Sequence, residues 1–379
     1  VTMFRAAKFT KYLSRLGAEV HVLTVERQYQ PGPDNEEYAA VLETAEEIHR
    51  TGIILDWLSL GEKDGFRWTP KLTPAITRIV HKNNIDAIFH TAWPFLPLLN
   101  VPLVKSFVEV PYIVDFRDPW TLSQYYEQRQ SSKSLLDRGW AALSRHCEPR
   151  ILRAADAVTV SSSNLRCAYE SSFPEIQTEF KTLTNGFDPE DYHGNVVEAD
   201  GFRIIYPGKF RNDVEPFFEG FAKFAANKPD VKLIHYGKAD SHRERVKDLT
   251  SQLGISDKVE FNGYAAKHQI IRELNAANIG LVLTRPEDRT HIPIKVFDYF
   301  ACDLPVLAID SEDGAISSLL EDFPGARLCH RSDVSDITHT LESLYNMRPE
   351  SLGDDAKRSE YSVKALATEL LSLLEQTTQ

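Results

Sequence analysis

The sequence predicts an α/β protein built from two doubly wound parallel-sheet domains. Three observations carry this prediction. Short apolar runs alternate with stretches of helical period from Val20 to Ile309, the order expected of strands joined by crossover helices. The runs end in polar, turn-forming loops, as where Leu281 to Thr284 stops at the charged segment Arg285 to His291. A turn-rich segment, Asn185-Gly186-Phe187-Asp188-Pro189 and on through Tyr192, His193, Gly194 and Asn195, separates two such series and reads as a domain boundary. A chain of 379 residues is long enough for two cores, each of about 150 to 200 residues.

Composition narrows the function. The chain is 42% hydrophobic and 26% charged, an ordinary globular balance, and its net charge of −12 excludes broad nucleic-acid binding. Cys147, Cys167, Cys302 and Cys329 lie far apart without CxxC spacing, which favours reduced thiols in a cytosolic protein over a zinc site or a disulfide framework. No apolar run is long enough to span a bilayer and no signal peptide is visible.

The chain opens inside a helix carrying Phe4, Ala7, Phe9, Tyr12, Leu13 and Leu16, stopped by Gly17 and followed by the strand Val20 to Val25. A parallel α/β domain normally starts with a strand and glycine loop, so truncation upstream, or initiation at an internal residue, is expected. After the polar loop Gln28 to Glu37, strands are expected at Ile53 to Leu60, Ile85 to Thr91 and Tyr112 to Asp115. Ligands of such sheets sit beyond the strand C-termini, which singles out His90 and Thr91, the run Asp115 to Trp120, and Ser161 to Asn164. Arg117 beside Asp118 reads either as a structural ion pair or as a substrate contact. Tyr125 to Arg153 reads as one helix with Leu135, Leu136, Trp140, Leu143, Ile151 and Leu152 on its apolar positions. Its Arg138, Arg145, Arg150 and Arg153 belong to a solvated face or to a peripheral contact with a membrane surface. Strands at Ala157 to Ser161 and Phe180 to Thr184 close this half.

The second half begins with the strand Phe202 to Tyr206 and the loop Pro207-Gly208-Lys209-Phe210-Arg211-Asn212. Gly208 permits close backbone approach, and Lys209 with Arg211 offers two cations at a strand end, a combination suited to a diphosphate. Helices follow at Val214 to Ala226, Arg243 to Leu253 and His268 to Ala276, between strands at Val231 to Tyr236, Val259 to Phe261 and Ile279 to Thr284. Tyr264, just past a strand end, either packs on a base or is structural. Pro293 is expected to start a helix, with Lys295 one turn in as a phosphate ligand, Asp298 on the same face as an acceptor for sugar hydroxyls, and the strand up to Ile309 beyond it. Val363 to Leu374 is an amphipathic terminal helix. The expected division is 1–190, 191–356 and a terminal segment 357–379 crossing back to the first domain.

Five segments, FRAAKFTKYLSRLGAEVHVLTV, PYIVDFRDPW, ILRAADAVTVSS, LTNGFDPEDY and IPIKVFDYFACDLPVLAI, together resemble the retaining glycosyltransferases of family four in order and approximate spacing. They most resemble the branch that makes bacterial surface polysaccharides. The resemblance implies the GT-B architecture, two facing Rossmann-like domains with a cleft between them. It implies a nucleotide-sugar donor on the second domain and an acceptor site on the first; net acidity fits a cytoplasmic enzyme, and the basic helix near Arg145 leaves open a lipid-linked acceptor, beside a sugar or glycan, at the inner face of the membrane. Gly208, Lys209 and Arg211 match the loop that contacts the donor diphosphate, and Lys295 with the N–H groups around Ile294 completes it. Asp298 falls on the second acidic residue of the family's E-x7-E pattern, the one that holds the ribose. The first acidic position falls on Thr290, with Glu287 or Asp288 as substitutes, and the histidine that many relatives carry near Arg117 and Asp118 is absent. No DxD pair stands in a suitable loop, so no metal or other cofactor is expected, and Lys209, Arg211 and Lys295 are the candidates to neutralise the leaving diphosphate. A nucleotide-sugar epimerase or hydrolase on the same fold, and a non-catalytic nucleotide-sugar-binding partner, are the competing readings. Thr290 favours the latter.

Overall fold

The computed structural model describes residues 2–29, 42–55, 65–192, 200–210, 213–285, 288–310 and 313–378. Its contacts divide the chain into two compact units, Val1–Asn185 with Val363–Gln379, and Gly186–Ser362.

In the first unit, helix α1 (Thr2–Arg15) leads to strand β1 (His21–Val25), which pairs in parallel with β2 (Glu47–Thr51). Gly17, at φ +95°, makes the left-handed turn out of α1. The strand expected at Ile53 to Leu60 is displaced: β2 ends at Thr51, Ile53 to Leu55 are not extended into a strand, and 56–60 lie outside the described residues. The reason is physical. β2 carries one apolar side chain, Ile48, among Glu47, His49, Arg50 and Thr51, and none of its residues is fully buried, so its pattern is weaker than that of the apolar run that follows it. Helix α2 (Thr69–Asn83), strand β3 (Ile88–Thr91), helix α3 (Val101–Lys105) and strand β4 (Tyr112–Phe116) come next. The expected helix Tyr125 to Arg153 is two helices, α4 (Gln124–Gln130) and α5 (Leu135–Ala154), because Ser131 to Ser134 favours caps over a continuous turn. Ser134 caps α5 by accepting the Asp137 N–H. Strand β5 (Ala157–Val160), helix α6 (Ser163–Ser172) and strand β6 (Glu179–Thr182) complete a parallel sheet of order β3-β4-β5-β6. β4 and β5 are buried at every residue, as central strands of a covered sheet.

The second unit holds a parallel sheet of order β12-β11-β10-β7-β8-β9. Its first part runs β7 (Phe202–Pro207), α7 (Glu215–Ala225), β8 (Val231–Tyr236), α8 (Ser241–Gln252), β9 (Val259–Asn262) and α9 (Lys267–Asn275). The chain then returns to place β10 (Ile279–Leu283) on the other side of β7 and continues through α10 (Lys295–Ala301), β11 (Val306–Asp310), α11 (Ala315–Leu320), β12 (Ala326–His330), α12 (Val334–Met347) and α13 (Asp355–Glu360). Strand β12 and the helices around it have no counterpart in the sequence reading, because an edge strand with Arg327, Leu328 and His330 lacks an apolar run. Side chains alternate between two cores. Ile204, Leu281, Leu307 and Ile309 join Phe217, Phe218, Phe221 and Phe224 of α7 on one face, while Ile205, Val282, Val306 and Ala308 meet Phe297 and Phe300 of α10 on the other. The order reverses between β7 and β10, which makes their C-terminal ends the switch point where ligands of such sheets bind.

The terminal helix α14 (Val363–Thr378) belongs to the first unit and packs Val363, Leu366 and Leu370 against Phe9, Tyr12 and Leu13 of α1. No helix among the described residues is long and apolar enough to cross a membrane. Cys147, Cys167, Cys302 and Cys329 are free thiols.

At the C-terminal edge of the first unit's sheet, the fully buried Asp115 accepts two hydrogen bonds from Arg5, both at 3.0 Å, and one each from Thr91 and Thr159 at 2.8 Å. Arg5 also donates to the carbonyls of Leu183 and Thr184. Removing one partner strands the other charge in the core. Asp115→Ala is therefore expected to destabilise the protein by about 3 to 5 kcal/mol in urea unfolding; a loss below about 1 kcal/mol would show that Arg5 finds other acceptors.

Candidate functional site

The switch point of the second unit collects a compact cationic site. Gly208 follows β7 at φ +137°, where its N–H donates to the Tyr236 carbonyl (2.8 Å) and its own carbonyl takes a hydrogen bond from His235 Nε2 (2.8 Å). The direction of that bond fixes the proton on Nε2 of a neutral ring. Burial drives the His235 pKa down to about 4, against the Gly208 hydrogen bond that raises it, so the ring stays neutral throughout the physiological range. Phe210 stacks on His235 with centroids 4.2 Å apart. Opposite this turn, Lys295 brings its Nζ within 3.6 Å of the Tyr206 ring centroid. A methyl group on Gly208 would lie 3.0 Å from the same Nζ. Gly208 and Lys295, 87 residues apart, thus meet across this turn. Helix α10 begins at Lys295, with Ile294 as its cap and Pro293 one residue earlier, two residues after the start expected from the sequence. The Pro293 and Ile294 carbonyls accept from Val296 and Phe297.

The other expected ligands divide. Lys209 sits in the same turn but ion-pairs with Asp240 at 3.1 Å. Asp240 also caps α8 through the Arg243 N–H, and these bonds hold its carboxyl below the usual range. Arg211 lies outside the described residues, as does Glu287. Asp298 accepts a hydrogen bond from Tyr192, while burial pushes its pKa up. Tyr192 in turn neighbours Asp191, which Lys267 holds at 2.6 Å. Tyr264 is 78% exposed, with Lys238 5.9 Å from its ring. Asp288 is clamped by Arg285 at 2.6 and 2.8 Å; burial raises its carboxyl, and the Arg285 hydrogen bonds and charge bring it below the ordinary value. Thr290 stands half-buried in the same loop.

Two residues that the sequence reading passed over organise these loops. His235 holds the Gly208 carbonyl, and Arg243 donates to the carbonyls of Gly237, Phe261 and Asn262, tying the ends of β8 and β9 together. A histidine inside an apolar strand was the available signal for the first. Arg243 carried none.

In the first unit, Arg117 and Asp118 form an ion pair at 2.7 Å, and the Arg117 carbonyl accepts from Ser161. His90 bonds the Tyr112 hydroxyl at 2.8 Å, and burial drives its pKa down to about 4. Ser162 caps α6. Beyond the ends of β3 and β4 lies a pocket lined by Trp93, Phe95, Trp120, Tyr126, Arg129 and Trp140. Phe95 and Trp120 stack at 5.3 Å in nearly parallel planes. Behind Trp120, the buried Glu148 accepts from Thr121 and from Tyr169 (2.8 Å). Leu135, Leu136 and Leu143, expected on the apolar face of α5, are instead exposed, the first two by 80% and 77%. The buried face of α5 is made by Ile151 and Leu152, as expected, together with Ala141, Ser144 and Glu148, which take the place of the three exposed leucines.

Comparison with known proteins fits this geometry. A family model for Glycosyltransferase Family 4 matches residues 5–191, and one for Glycosyl transferases group 1 matches residues 201–347. The chain is a family-four-like glycosyltransferase. No curated protein matches it in sequence. Solved structures similar to this glycosyltransferase include a glycosyltransferase of Rickettsia africae, at 13% identity, TM-score 0.69, covering 100% of this chain and 95% of that one. Sucrose-phosphate synthase of Thermosynechococcus elongatus is similar at 16% identity and TM-score 0.67, covering 97% and 91%. HepE of Anabaena, solved with UDP, is similar at 13% identity and TM-score 0.67, covering 99% and 96%. These likenesses establish the GT-B fold for the glycosyltransferase.

Burial raises the Glu148 carboxyl from its ordinary 4.5 to about 7, against the lowering effect of its bonds from Thr121 and Tyr169. The folded state therefore binds this proton more tightly than the unfolded state does. Stability contributed by Glu148 is present in acid and is lost as pH rises from about 4.5 through about 7. In unfolding curves across that window, the difference between Glu148→Gln and the parent is expected to move in favour of the variant by roughly 3 kcal/mol.

Proposed function

We propose that the protein transfers a sugar from a nucleotide-sugar donor to a hydroxyl acceptor with retention of anomeric configuration, in glycan or polysaccharide assembly. The observation that carries this reading is the meeting of Lys295 Nζ with the side-chain-free turn at Gly208, at the switch point of the second unit. A point charge beside a turn with no side chain in the way suits the diphosphate of such a donor. HepE is solved in complex with UDP, with UDP and glucose, and with UDP-glucose, which supports the same donor class here.

In this reading Lys295 neutralises the leaving diphosphate together with Lys209 and Arg211, and no metal is required. Each well-placed cation contributes about 2 to 4 kcal/mol to that step. Lys209 exchanges Asp240 for phosphate as the donor arrives. Asp298, oriented by Tyr192, receives the ribose hydroxyls. The acceptor hydroxyl attacks the face from which the nucleotide leaves, and its proton passes to a phosphate oxygen of the donor. No protein nucleophile takes part.

The aromatic pocket of the first unit is the proposed acceptor site. Its indole rings offer flat apolar faces to a sugar ring, and Arg129 offers a charge to a phosphate on a lipid-linked acceptor. The exposed Leu135, Leu136 and Leu143, among the exposed Arg138, Arg145 and Arg150, favour a peripheral contact with an anionic lipid surface on the cytoplasmic side. One observation favours a second reading, a non-catalytic nucleotide-sugar-binding partner. The first acidic position holds Thr290, and Asp288, its nearest substitute, is clamped by Arg285.

A thermal-shift screen of UDP-, GDP- and ADP-sugars identifies the donor as the ligand that raises the melting temperature. With that donor, Lys295→Ala is expected to lower turnover about a hundredfold or more; near-normal transfer would remove Lys295 from the diphosphate site. Binding of the donor without transfer to any acceptor by the parent chain would establish the partner reading. Trp93→Ala is expected to raise the acceptor KM roughly fivefold and leave the donor KM unchanged, as read from initial rates with each substrate varied.

A further inference from the structure

We propose that His21 and His49 form a binding site for a divalent transition metal of the zinc class, with Glu47 positioning the second ring. The three residues lie on the β1–β2 ladder of the first unit, whereas the donor-site residues belong to the second, so the inference is independent of the proposed function.

Register creates the cluster. His21 of β1 stands opposite Glu47 of β2, and His49 lies two residues further along β2, hence on the same face as Glu47. The nitrogens His21 Nδ1 and His49 Nε2 face each other at 3.2 Å, with the ring planes 15° apart. Two imidazole nitrogens held about 2.0 to 2.1 Å from one tetrahedral zinc ion are separated by roughly 3.3 Å. The spacing of a ligand pair is therefore already set. On the far side of the second ring, Glu47 Oε1 lies 3.5 Å from His49 Nδ1. This is the order of a carboxylate–histidine–metal triad, in which the carboxylate fixes the tautomer and orients the ring. Potential ligand atoms of all three residues fall within 4.8 Å of one another. Both histidines are partly exposed, so water molecules can complete the coordination of the ion. The chemistry of two imidazoles selects zinc, copper or nickel over magnesium or calcium, which require oxygen ligands. A bound ion would bridge two strands that pair only over these five residues each, and so brace the ladder.

The test is calorimetric titration of the full chain with zinc and, separately, magnesium, paired with melting curves. The expected result is saturable binding of one zinc ion, a raised melting temperature and no response to magnesium. His21→Ala and His49→Ala are expected to weaken zinc binding at least tenfold. Glu47→Gln is expected to weaken it by about 10- to 100-fold. Should either histidine variant fail to fold, protection of His21 and His49 in the parent against diethyl pyrocarbonate, read by peptide mass, decides the matter: zinc must block both. Absence of saturable binding below about 100 μM zinc, unchanged affinity in both histidine variants, or modification of both rings at the same rate with and without zinc would each overturn the proposal. The pair would then be a proton-sharing contact only.

Discussion

Parallel sheets bring every strand to an end on the same edge, and something must hold those ends in place. In the first unit the holding group is Asp115, which gathers Arg5 of α1, Thr91 of β3 and Thr159 of β5 onto one buried carboxylate. Arg5 carries the tie on to the carbonyls after β6. In the second unit His235 and Arg243 do the corresponding work on the loops after β7, β8 and β9. Loops tethered in this way present backbone and side chains in a fixed arrangement, which is what binding a ligand at the strand ends requires.

The cations in the second unit are not equivalent. Lys209 is neutralised by Asp240, and drawing it to any other anion would cost that pair. The pair is about half exposed on the lysine side, so the cost is small. Lys295 sits against an aromatic face, which favours its charge. The neutral His235 completes the arrangement by holding the Gly208 carbonyl without adding charge.

The first unit carries the opposite chemistry. Its pocket is aromatic, and the carboxyl behind it, Glu148, is driven towards neutrality by burial. Helix α5 explains both features. It buries Ile151 and Leu152 in the usual way, but earlier in the helix it turns Ser144 and Glu148 inward and leaves Leu135, Leu136 and Leu143 in solvent, a local inversion of amphipathic order. The inversion is affordable because Thr121 and Tyr169 satisfy the carboxyl.

The sequence by itself determined the fold class and the strands with apolar runs, because those depend on local pattern and residue type. It passed over β2 and β12, since edge and half-covered strands carry no continuous apolar run. It merged α4 with α5 because serine caps are weaker signals than apolar period. Only the tertiary structure decided which charges meet. That Lys295 reaches Gly208, that Asp240 takes Lys209, that Tyr192 takes Asp298, and that Arg243 ties two strand ends all follow from contacts between residues distant in the chain. Such contacts are set by strand order and crossover geometry, which no local window of residues contains.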